Sequence, residues 1–478
     1  MRGRTTEGQL ISCHAEPDKG MESLYGSPWL PSTHPAAALA EGQSYSAEVD
    51  GTACELQVTT PWHIVDDTQF THWAGAGMTQ LYTDPMCVFA ASLKAKRPDT
   101  VFIAGWGNRA SEDHWAAWDL LYRPTIDAAP ALIDGICDHD YGGDPRQMDG
   151  VYETICGYAM TTHGRWLYGY NTECANASDP QSIPAAAELG TAGADWRKAT
   201  WCARIILCAA ARVPDKARSQ LHFGYGGPWF SDSGEGLALE ALRSLRGRLL
   251  HLDHTDPGLV AVATVDGTDP RCPRAEGGYE LCLAVAEVEG RSRNASIALQ
   301  APTGTRFAGP AQLTQLQAHH AAPQLAHSEV SIDVDAIDVT LCAHGFAVIR
   351  LTLSGEPDFS KSIVRRQNFA DDVLQTLDAE HDWRRCIALP AHPNPQRAWL
   401  RLVVEHLTAE HYQVRINNGT AIPLPGCTTA LNACDILDLP FPLAALSSKA
   451  TIHIEAVRPD ATPSLICSAS LWLEGLED

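Results

Sequence analysis

Short apolar runs alternate with helix-like stretches between about residues 60 and 250, and this alternation constrains the fold more than any other feature. The apolar runs include "VFIAGW" (101–106), "IDGIC" (133–137) and "RWLYGYN" (165–171). Between and after them lie helical patterns, among them Val151–Thr162 and "DWRKATWCARIILCAAARV". Short strands separated by helices are typical of βα units on a parallel sheet.

Each of these apolar runs, and the later run "QLHFGYG" (220–226), ends in polar or aromatic residues. The endings read "GWGN", "CDHDYGG", "YNTECAN" and "GYGGPW". Such endings are typical of the active face of a (β/α)8 barrel, where side chains at the carboxyl ends of the strands form the catalytic site. Only four or five units can be counted, in roughly 190 residues, whereas a full barrel has eight units and about 250 residues. The sequence therefore predicts an incomplete barrel that lacks its front, with irregular early strands as the alternative.

The character of the sequence changes to β after about residue 258. Runs of β-forming residues such as "GLVAVATVDG" and "FAVIRLTLSG" are punctuated by turn residues, which predicts a sandwich. A second set, including "AWLRLVVEHL" and "ATIHIEAVRPD", predicts a sandwich of jelly-roll type. The predicted class is α/β plus all-β. Its four segments are an irregular N-terminal segment, the barrel, a sandwich packed on the barrel, and a C-terminal jelly-roll-like sandwich, at 1–60, 61–255, 256–356 and 357–478.

Composition excludes several classes of partner. The formal net charge is −23, whereas nucleic acids and anionic membranes both require a basic surface. No apolar run is long enough to cross a bilayer, and the start lacks the apolar core of a signal peptide. The 15 Cys form no CxxC pair, and no GxGxxG, Walker A or GxSxG motif occurs. We therefore expect reduced structural Cys, no metal and no cofactor.

The stretch "WLYGYNTECAN" (166–176) carries the candidate nucleophile. Glu173 follows an apolar strand directly, with Asn171 and Thr172 beside it as hydrogen-bonding neighbours. Hydrolysis of a glycoside with retention needs two carboxyl groups about 5–5.5 Å apart, one of them a nucleophile. Glu173 is predicted to fill that role, although a surface glutamate at a strand end is the simpler alternative.

Further residues at the strand ends suit sugar binding. His139 and Tyr141 follow the preceding apolar run, where they could bind sugar hydroxyls, although the same segment also contains a turn. Aromatic rings stack on the apolar faces of sugars, which favours Trp106 and Trp229, although either could simply pack in the core. The predicted substrate-binding set is Trp106, Asn108, His139, Tyr141, Asn171 and Trp229.

The sequence resembles clan A glycoside hydrolases. The matching segments are "IDGICDHDYGG", "LYGYNTE", "LHFGYGGPW" and the closing helix "ALEALRSLRGRLL", followed by "VTLCAHGFAVIRLTL". The combination of barrel, sandwich and jelly roll looks most like the β-agarases and β-porphyranases of glycoside hydrolase family 86, with xylosidase and arabinofuranosidase barrels as close rivals. The resemblance covers roughly residues 60–355 and implies an extracellular or periplasmic enzyme.

The family pattern implies an Asn-Glu pair after the fourth barrel strand, with that glutamate as acid/base. In the corresponding place this chain has Asp66 and Asp67, in "PWHIVDDTQFTHWAG". The resemblance thus makes Asp67 the acid/base candidate, with a side chain one methylene shorter. Since Asp also favours the start of a helix, the pair has a structural alternative.

Three functions follow from these patterns. The first is a retaining hydrolase of a plant or algal polysaccharide, agarase-like or porphyranase-like, with a polysaccharide or oligosaccharide as its partner. The second is a truncated or inactive barrel that binds carbohydrate without cleaving it. The third is a polysaccharide lyase on a similar barrel, with Tyr141 or His139 as the base.

Overall fold

The structure is a computed structural model. It describes the following residues: 2–5, 10–12, 14–15, 29–30, 44–49, 52–57, 76–105, 109–111, 115, 117–141, 143–175, 193–222, 234–252, 256–267, 278–319, 322–332, 336–360, 362–417, 419–429, 434–445 and 448–477. The chain divides into two compact units, Met1–His139 and Asp140–Asp478. The four predicted segments are a finer division than this one and stay a prediction.

Strands dominate the first unit. They are β1 (Arg2–Thr5), β2 (Leu10–Ser12), β3 (His14–Ala15), β4 (Trp29–Leu30), β5 (Ser44–Val49), β6 (Thr52–Gln57), β7 (Ile103–Gly105) and β8 (Gly135–Tyr141), the last of which runs on into the second unit. The helices are α1 (Ala76–Lys96), the π-helix Trp118–Tyr122 and α2 (Arg123–Ala128). An antiparallel sheet of order β2-β1-β6-β5 forms within residues 2–57, while β7 and β8 pair in parallel.

The second unit begins with alternating helices and strands. These elements are α3 (Gln147–His163), β9 (Tyr168–Ala175), α4 (Gly193–Arg212), β10 (Ala217–His222) and α5 (Gly234–Leu242). Helix α3 ends where Gly164 adopts a left-handed conformation and its N–H bonds to the carbonyls of Ala159 and Met160, a common C-terminal cap. Strands β9 and β10 pair in parallel, as the βα pattern predicts.

The last predicted helix, "ALEALRSLRGRLL", is shorter than the sequence indicated. Helix α5 ends at Leu242, and residues Arg248–Leu250 form strand β11 instead. Gly247 lies between them with φ of 85°, and a Cβ there would lie 2.2 Å from the carbonyl oxygen of Val265. Only glycine fits so close to the neighbouring strand, and the residues after it pair with that strand instead of continuing the helix.

Two sheets follow between residues 248 and 355. Their further strands are β12 (Leu259–Asp266), β13 (Tyr279–Glu287), β14 (Arg293–Ala298), β15 (Thr305–Phe307), β16 (Ala311–His319), β17 (Ala322–Val330), β18 (Ala336–Leu341) and β19 (Phe346–Gly355). The larger sheet has the order β11-β12-β13-β19-β16-β17, with β15 beside β19, and the smaller one pairs β14 with β18. Ile337 and Val339 of the smaller sheet share one core with Val285 and Ile349 of the larger.

A second pair of sheets fills the C-terminal segment. Its strands are β20 (Ser362–Phe369), β21 (Gln375–Leu377), β22 (Trp383–Ala388), β23 (Pro395–Glu405), β24 (Tyr412–Ile416), β25 (Ile422–Pro423), β26 (Asp435–Pro440), β27 (Lys449–Ala456) and β28 (Ser464–Glu477). One sheet has the order β20-β28-β23-β26, with β21 beside β28, and the other has the order β22-β27-β24-β25. Both bury apolar residues in a common core.

Helices are scarce in this β-rich half. Within the described part of residues 256–478, the only helix is the single 3-10 turn Leu443–Ala445. The predicted β character of both segments therefore agrees with the elements observed. Nor does any helix among the described residues have the length and apolarity that crossing a membrane requires.

Helix α3 packs through two glycines on the sheet of order β20-β28-β23-β26, which is called the C-terminal sheet below. A Cβ on Gly150 would lie 2.5 Å from Sγ of Cys434, and one on Gly157 would lie 2.9 Å from Cδ1 of Phe369. The helix can approach this closely only because both positions lack a side chain. The close approach also buries the polar residues of α3 beneath the sheet.

Asp149 of α3 is one such residue. Its carboxyl is 1% exposed, neither oxygen has a hydrogen-bond partner in the described part of the chain, and Nε of Arg212 lies 3.7 Å away. Burial raises the pKa of Asp149 to about 7, although the charges of Arg212 and Arg401 act in the opposite direction. Asp149 is therefore protonated in the folded protein at mildly acidic pH.

We expect this carboxyl to make stability fall as pH rises. An unfolded aspartate titrates near 3.9, so between about pH 4 and 7 the folded state holds a proton that the unfolded state has lost. The free energy of unfolding should decrease across that window by roughly 2–4 kcal/mol, at about 1.4 kcal/mol per pKa unit. Asp149→Asn should remove this contribution, so that the variant gains stability relative to the parent as pH rises.

Urea unfolding at pH 4.5 and pH 7.5 measures the effect. The control is Asp371→Asn, since the side chain of Asp371 is 85% exposed, and it should leave the pH slope unchanged. If Asp149→Asn instead lost more stability at pH 7.5 than at pH 4.5, Asp149 would be an ionised partner of Arg212.

Candidate functional site

Glu173 lies where the sequence places it, near the carboxyl end of a parallel strand. It is the sixth of eight residues in β9 and is half-buried. Strand β9 pairs with β10 in parallel, with Asn171 opposite Gln220 and Cys174 opposite His222. In parallel sheets covered by helices, functional groups gather at these carboxyl ends.

A β-bulge decides which face of the sheet Glu173 occupies. Between the pairs Asn171–Gln220 and Cys174–His222, β9 advances three residues while β10 advances two, so one residue of β9 is extra. A bulge of this kind turns the following side chains to the other face, and bulges are frequent beside active sites.

Two contacts fix the orientation on either side of the bulge. A Cβ on Gly169 would lie 2.2 Å from the Tyr152 ring, so Gly169 faces helix α3. Cys174 packs against Trp201 and Ile205 of helix α4, so it faces the helices as well. Because neighbouring residues of a strand alternate, Glu173 points to the opposite face, away from the helical layer. Without the bulge, Glu173 would share the helix-facing side with Gly169.

Asn171 lies before the bulge and on the same side as Gly169. Its side chain is 0% exposed, and both its amide nitrogen and its amide oxygen lack a hydrogen-bond partner among the described residues. The amide of Gln220, directly opposite on β10, is likewise buried without one. Because Asn171 is fully buried, a sugar could interact with it only through intervening groups. Its buried neighbour Gln220 was not predicted from the sequence.

Strand β8 carries two buried carboxyl groups that flank His139. Asp138 and Asp140 are both 0% exposed, whereas His139 is half-buried. Oδ1 of Asp140 accepts a hydrogen bond from Nε2 of Gln147 at 3.4 Å. The sequence "CDHDY" already indicated this burial, because Asp138 and Asp140 lie two and four residues after the buried Ile136 and therefore share its face of the strand. Tyr141 ends the strand, and its side chain lies outside the described residues.

Helix α4 supports the carboxyl ends of the strands. Nε1 of Trp201 donates to the carbonyl of Gly143 at 3.2 Å, which ties the turn after β8 to the helix. Burial, and to a lesser extent the charge of Asp140, raises the pKa of the Cys174 thiol. Cys174 is therefore a packing residue under Glu173 rather than a nucleophile.

Four predicted site residues fall on segments that the structure does not describe. These residues are Asp67, Trp106, Asn108 and Trp229. Trp106 and Asn108 directly follow β7, whose last residue is Gly105. The predicted convergence of these residues with Glu173 and His139 in one cleft stays a prediction.

A separate groove of about 1540 Å³ lies in the second unit. Its lining includes Trp399, Trp472, Arg365 and His251, but Glu173 is not part of it. The two Trp rings stack with centroids 5.5 Å apart and planes 12° apart. A ligand in this groove would not contact Glu173.

The chain is similar to solved structures of glycoside hydrolases. BuGH86 in complex with neoagarooctaose superposes with a TM-score of 0.65 at 13% identity, covering 88% of this chain and 71% of that one. A BuGH86 variant with the same ligand gives a TM-score of 0.67 at 14% identity, over 88% and 70%. BpGH86A, a β-porphyranase of glycoside hydrolase family 86 from the human gut bacterium Bacteroides plebeius, gives 0.62 at 15% identity, over 88% and 78%.

This chain shares their fold. Neither a family model nor a curated protein matches the sequence. The resemblance to glycoside hydrolase family 86 is therefore supported by structure and extends over most of the chain, further than the segment 60–355 on which the sequence carried it.

Proposed function

We propose that the protein is a retaining glycoside hydrolase of an agarose-type or porphyran-type polysaccharide. The observation that carries this proposal is the orientation of Glu173, which a bulge turns away from the helices at the carboxyl end of a parallel strand. The fold shared with BuGH86, solved with neoagarooctaose, and with a β-porphyranase supports the substrate class.

In the proposed mechanism, the Glu173 carboxylate attacks the anomeric carbon and the leaving oxygen takes a proton from the acid/base residue. Asp67 is the candidate for that residue. Water then cleaves the glycosyl-enzyme ester, with the same residue acting as base, and the two inversions give net retention. The side chain of Asp is one methylene shorter than that of the glutamate that the family pattern implies at this position.

The remaining candidate residues are assigned to substrate binding. The rings of Trp106 and Trp229 would stack on sugar faces, while Asn108, His139 and Tyr141 would bond to hydroxyls. Asn171, which is fully buried, would act on the substrate only through its neighbours on β9. The mechanism needs no cofactor, because both steps use carboxyl groups and water.

The test is the stereochemistry of the first product. Agarose and porphyran oligosaccharides are incubated with the protein, and proton NMR follows the anomeric signals before mutarotation. We expect the configuration of the cleaved bond to be retained. Inversion would contradict the nucleophile role of Glu173, and unsaturated products absorbing in the ultraviolet would support the lyase instead.

Carbohydrate binding without cleavage is the second candidate function. The groove lined by Trp399 favours it, since a half-buried aromatic ring beside arginines can stack on a sugar. In that case a gel containing agarose or porphyran would retain the protein, and the protein would release no reducing ends from either polysaccharide. Trp399→Ala would then abolish retention, while Glu173→Gln would not.

A further inference from the structure

The C-terminal sheet brings together three potential metal ligands that are far apart in sequence. Glu405 ends β23, Cys434 directly precedes β26, and Cys467 lies in β28. One carboxylate oxygen and the two sulfur atoms all lie within 4.8 Å of one another. The spacing of these residues in the sequence resembles no zinc motif, because the sheet alone makes them neighbours.

The pairing of the strands explains how the three side chains meet. Strand β23 is central, and its Val404 pairs with Asp435 of β26 on one side and Ile466 of β28 on the other. A register shift between Val403 and Val404 places Cys467 at a bulge in β28. Cys467 is the extra residue of this bulge, so its side chain is not bound to the face that strict alternation along β28 would give it.

The same topology disfavours a disulfide between the two thiols. Strands β26 and β28 lie on opposite sides of β23, so their backbones are about 9–10 Å apart at two strand spacings. A disulfide needs Cα atoms within roughly 7 Å. In a tetrahedral zinc site with bonds of about 2.3 Å, sulfur atoms are about 3.8 Å apart. A metal ion between the side chains therefore fits where a covalent bond does not.

The surroundings of the cluster are closed, as in structural zinc sites. Cys434 and Cys467 are 1% and 0% exposed, and Glu405 is 7% exposed. Helix α3 covers the cluster, since Gly150 leaves no room for a side chain above Sγ of Cys434. Cys427 provides a further thiol beside the cluster, where its Sγ accepts a hydrogen bond from the backbone N–H of Leu407 and lies 3.9 Å from the carbonyl oxygen of Val404.

The charges also favour a cation. Two thiolates and one carboxylate around a divalent ion leave one negative charge, and the positive charge of Arg212 acts on Cys434. Binding would release the two thiol protons.

We propose that Glu405, Cys434 and Cys467 form a structural site for Zn²⁺. Thiolates favour this ion over Mg²⁺ or Ca²⁺, which prefer sites made of oxygen ligands. The ion would join β23, β26 and β28 beneath helix α3.

Metal content and a Co²⁺ titration test this site. The full chain is purified under reducing conditions, and bound zinc is measured by elemental analysis. Co²⁺ is then added to the protein stripped with a chelator. We expect one equivalent of metal per chain and a thiolate-to-cobalt charge-transfer band that Zn²⁺ removes.

Variants assign the ligands. Cys434→Ser and Cys467→Ser should each weaken Co²⁺ binding by more than the roughly 10–100-fold that loss of an outer-shell partner costs. Glu405→Gln keeps the side-chain volume and should also weaken binding, which covers the case in which a Ser variant fails to fold. The matched control is Cys208→Ser, a fully buried cysteine of α4, which should bind normally.

Three results would overturn the proposal. They are a folded parent chain that binds no stoichiometric Co²⁺ or Zn²⁺, binding that survives both Ser variants, and a Cys434–Cys467 disulfide found by mass spectrometry of the native protein.

Discussion

Glu173→Gln is expected to lower turnover on an agarose or porphyran substrate by roughly 10⁴-fold or more, the scale at which losing a principal catalytic residue acts. The amide keeps the shape of the side chain but removes the negative charge that attacks the anomeric centre. Affinity for the glycan should stay nearly unchanged, because binding contacts remain. Reducing-end assays give turnover, and calorimetry gives the dissociation constant.

The control is Glu240→Gln, the same substitution on the exposed side of helix α5, where Glu240 pairs with Arg243 at the surface. It should retain full activity. Full activity in Glu173→Gln would refute the nucleophile role. If Asp67 is the proton donor, Asp67→Asn should lose comparable activity on the polysaccharide but recover much of it on a substrate whose leaving group needs no protonation.

Lys216→Met is expected to destabilise the second unit by about 3–5 kcal/mol, the usual cost of leaving one charge of a buried pair without its partner. Lys216 is 0% exposed. Its ammonium lies 3.0 Å from Oε2 of Glu153 and 2.6 Å from Oε1 of Gln367, and it stacks over the rings of Trp166 and Trp472. Methionine fills the space but leaves Glu153 buried with weaker compensation.

Urea unfolding followed by tryptophan fluorescence measures this change, since Trp166 and Trp472 surround the site. Adding Glu153→Gln to Lys216→Met should recover a large part of the loss, because the neutral amide no longer needs a cation. Lys96→Met, at the exposed end of helix α1, controls for the substitution itself. A loss under about 1 kcal/mol would mean that Arg401, 3.6 Å from Glu153, suffices alone.

The sequence predicted the order of elements around the site better than their details. The strands containing Gly135–Tyr141 and Tyr168–Ala175 fall where the apolar runs were, and Val151–Thr162 lies inside helix α3. These elements depend on local patterns, which a sequence displays directly. The closing helix was predicted too long, because Gly247 fits a close strand contact that no local pattern reveals.

The details of the site depend on tertiary structure and could not be predicted. Strict alternation would have placed Glu173 beside Gly169 against the helices, and only the register between β9 and β10 reveals the bulge. Lys216 resembles a surface residue in the sequence, although it is fully buried. Cys434 and Cys467 are 33 positions apart and meet only across β23.

The contacts of helix α3 bear on how this architecture can change in evolution. Glu153 has partners from Gln367, Arg401 and Ser470 of the C-terminal sheet, and Gly157 lies against Phe369. A carbohydrate module tethered by a linker can be gained, lost or exchanged between enzymes without disturbing its host. Here excision of the C-terminal segment would remove the partners of buried charges on helix α3, so the loss of that segment would destabilise the helix that remains.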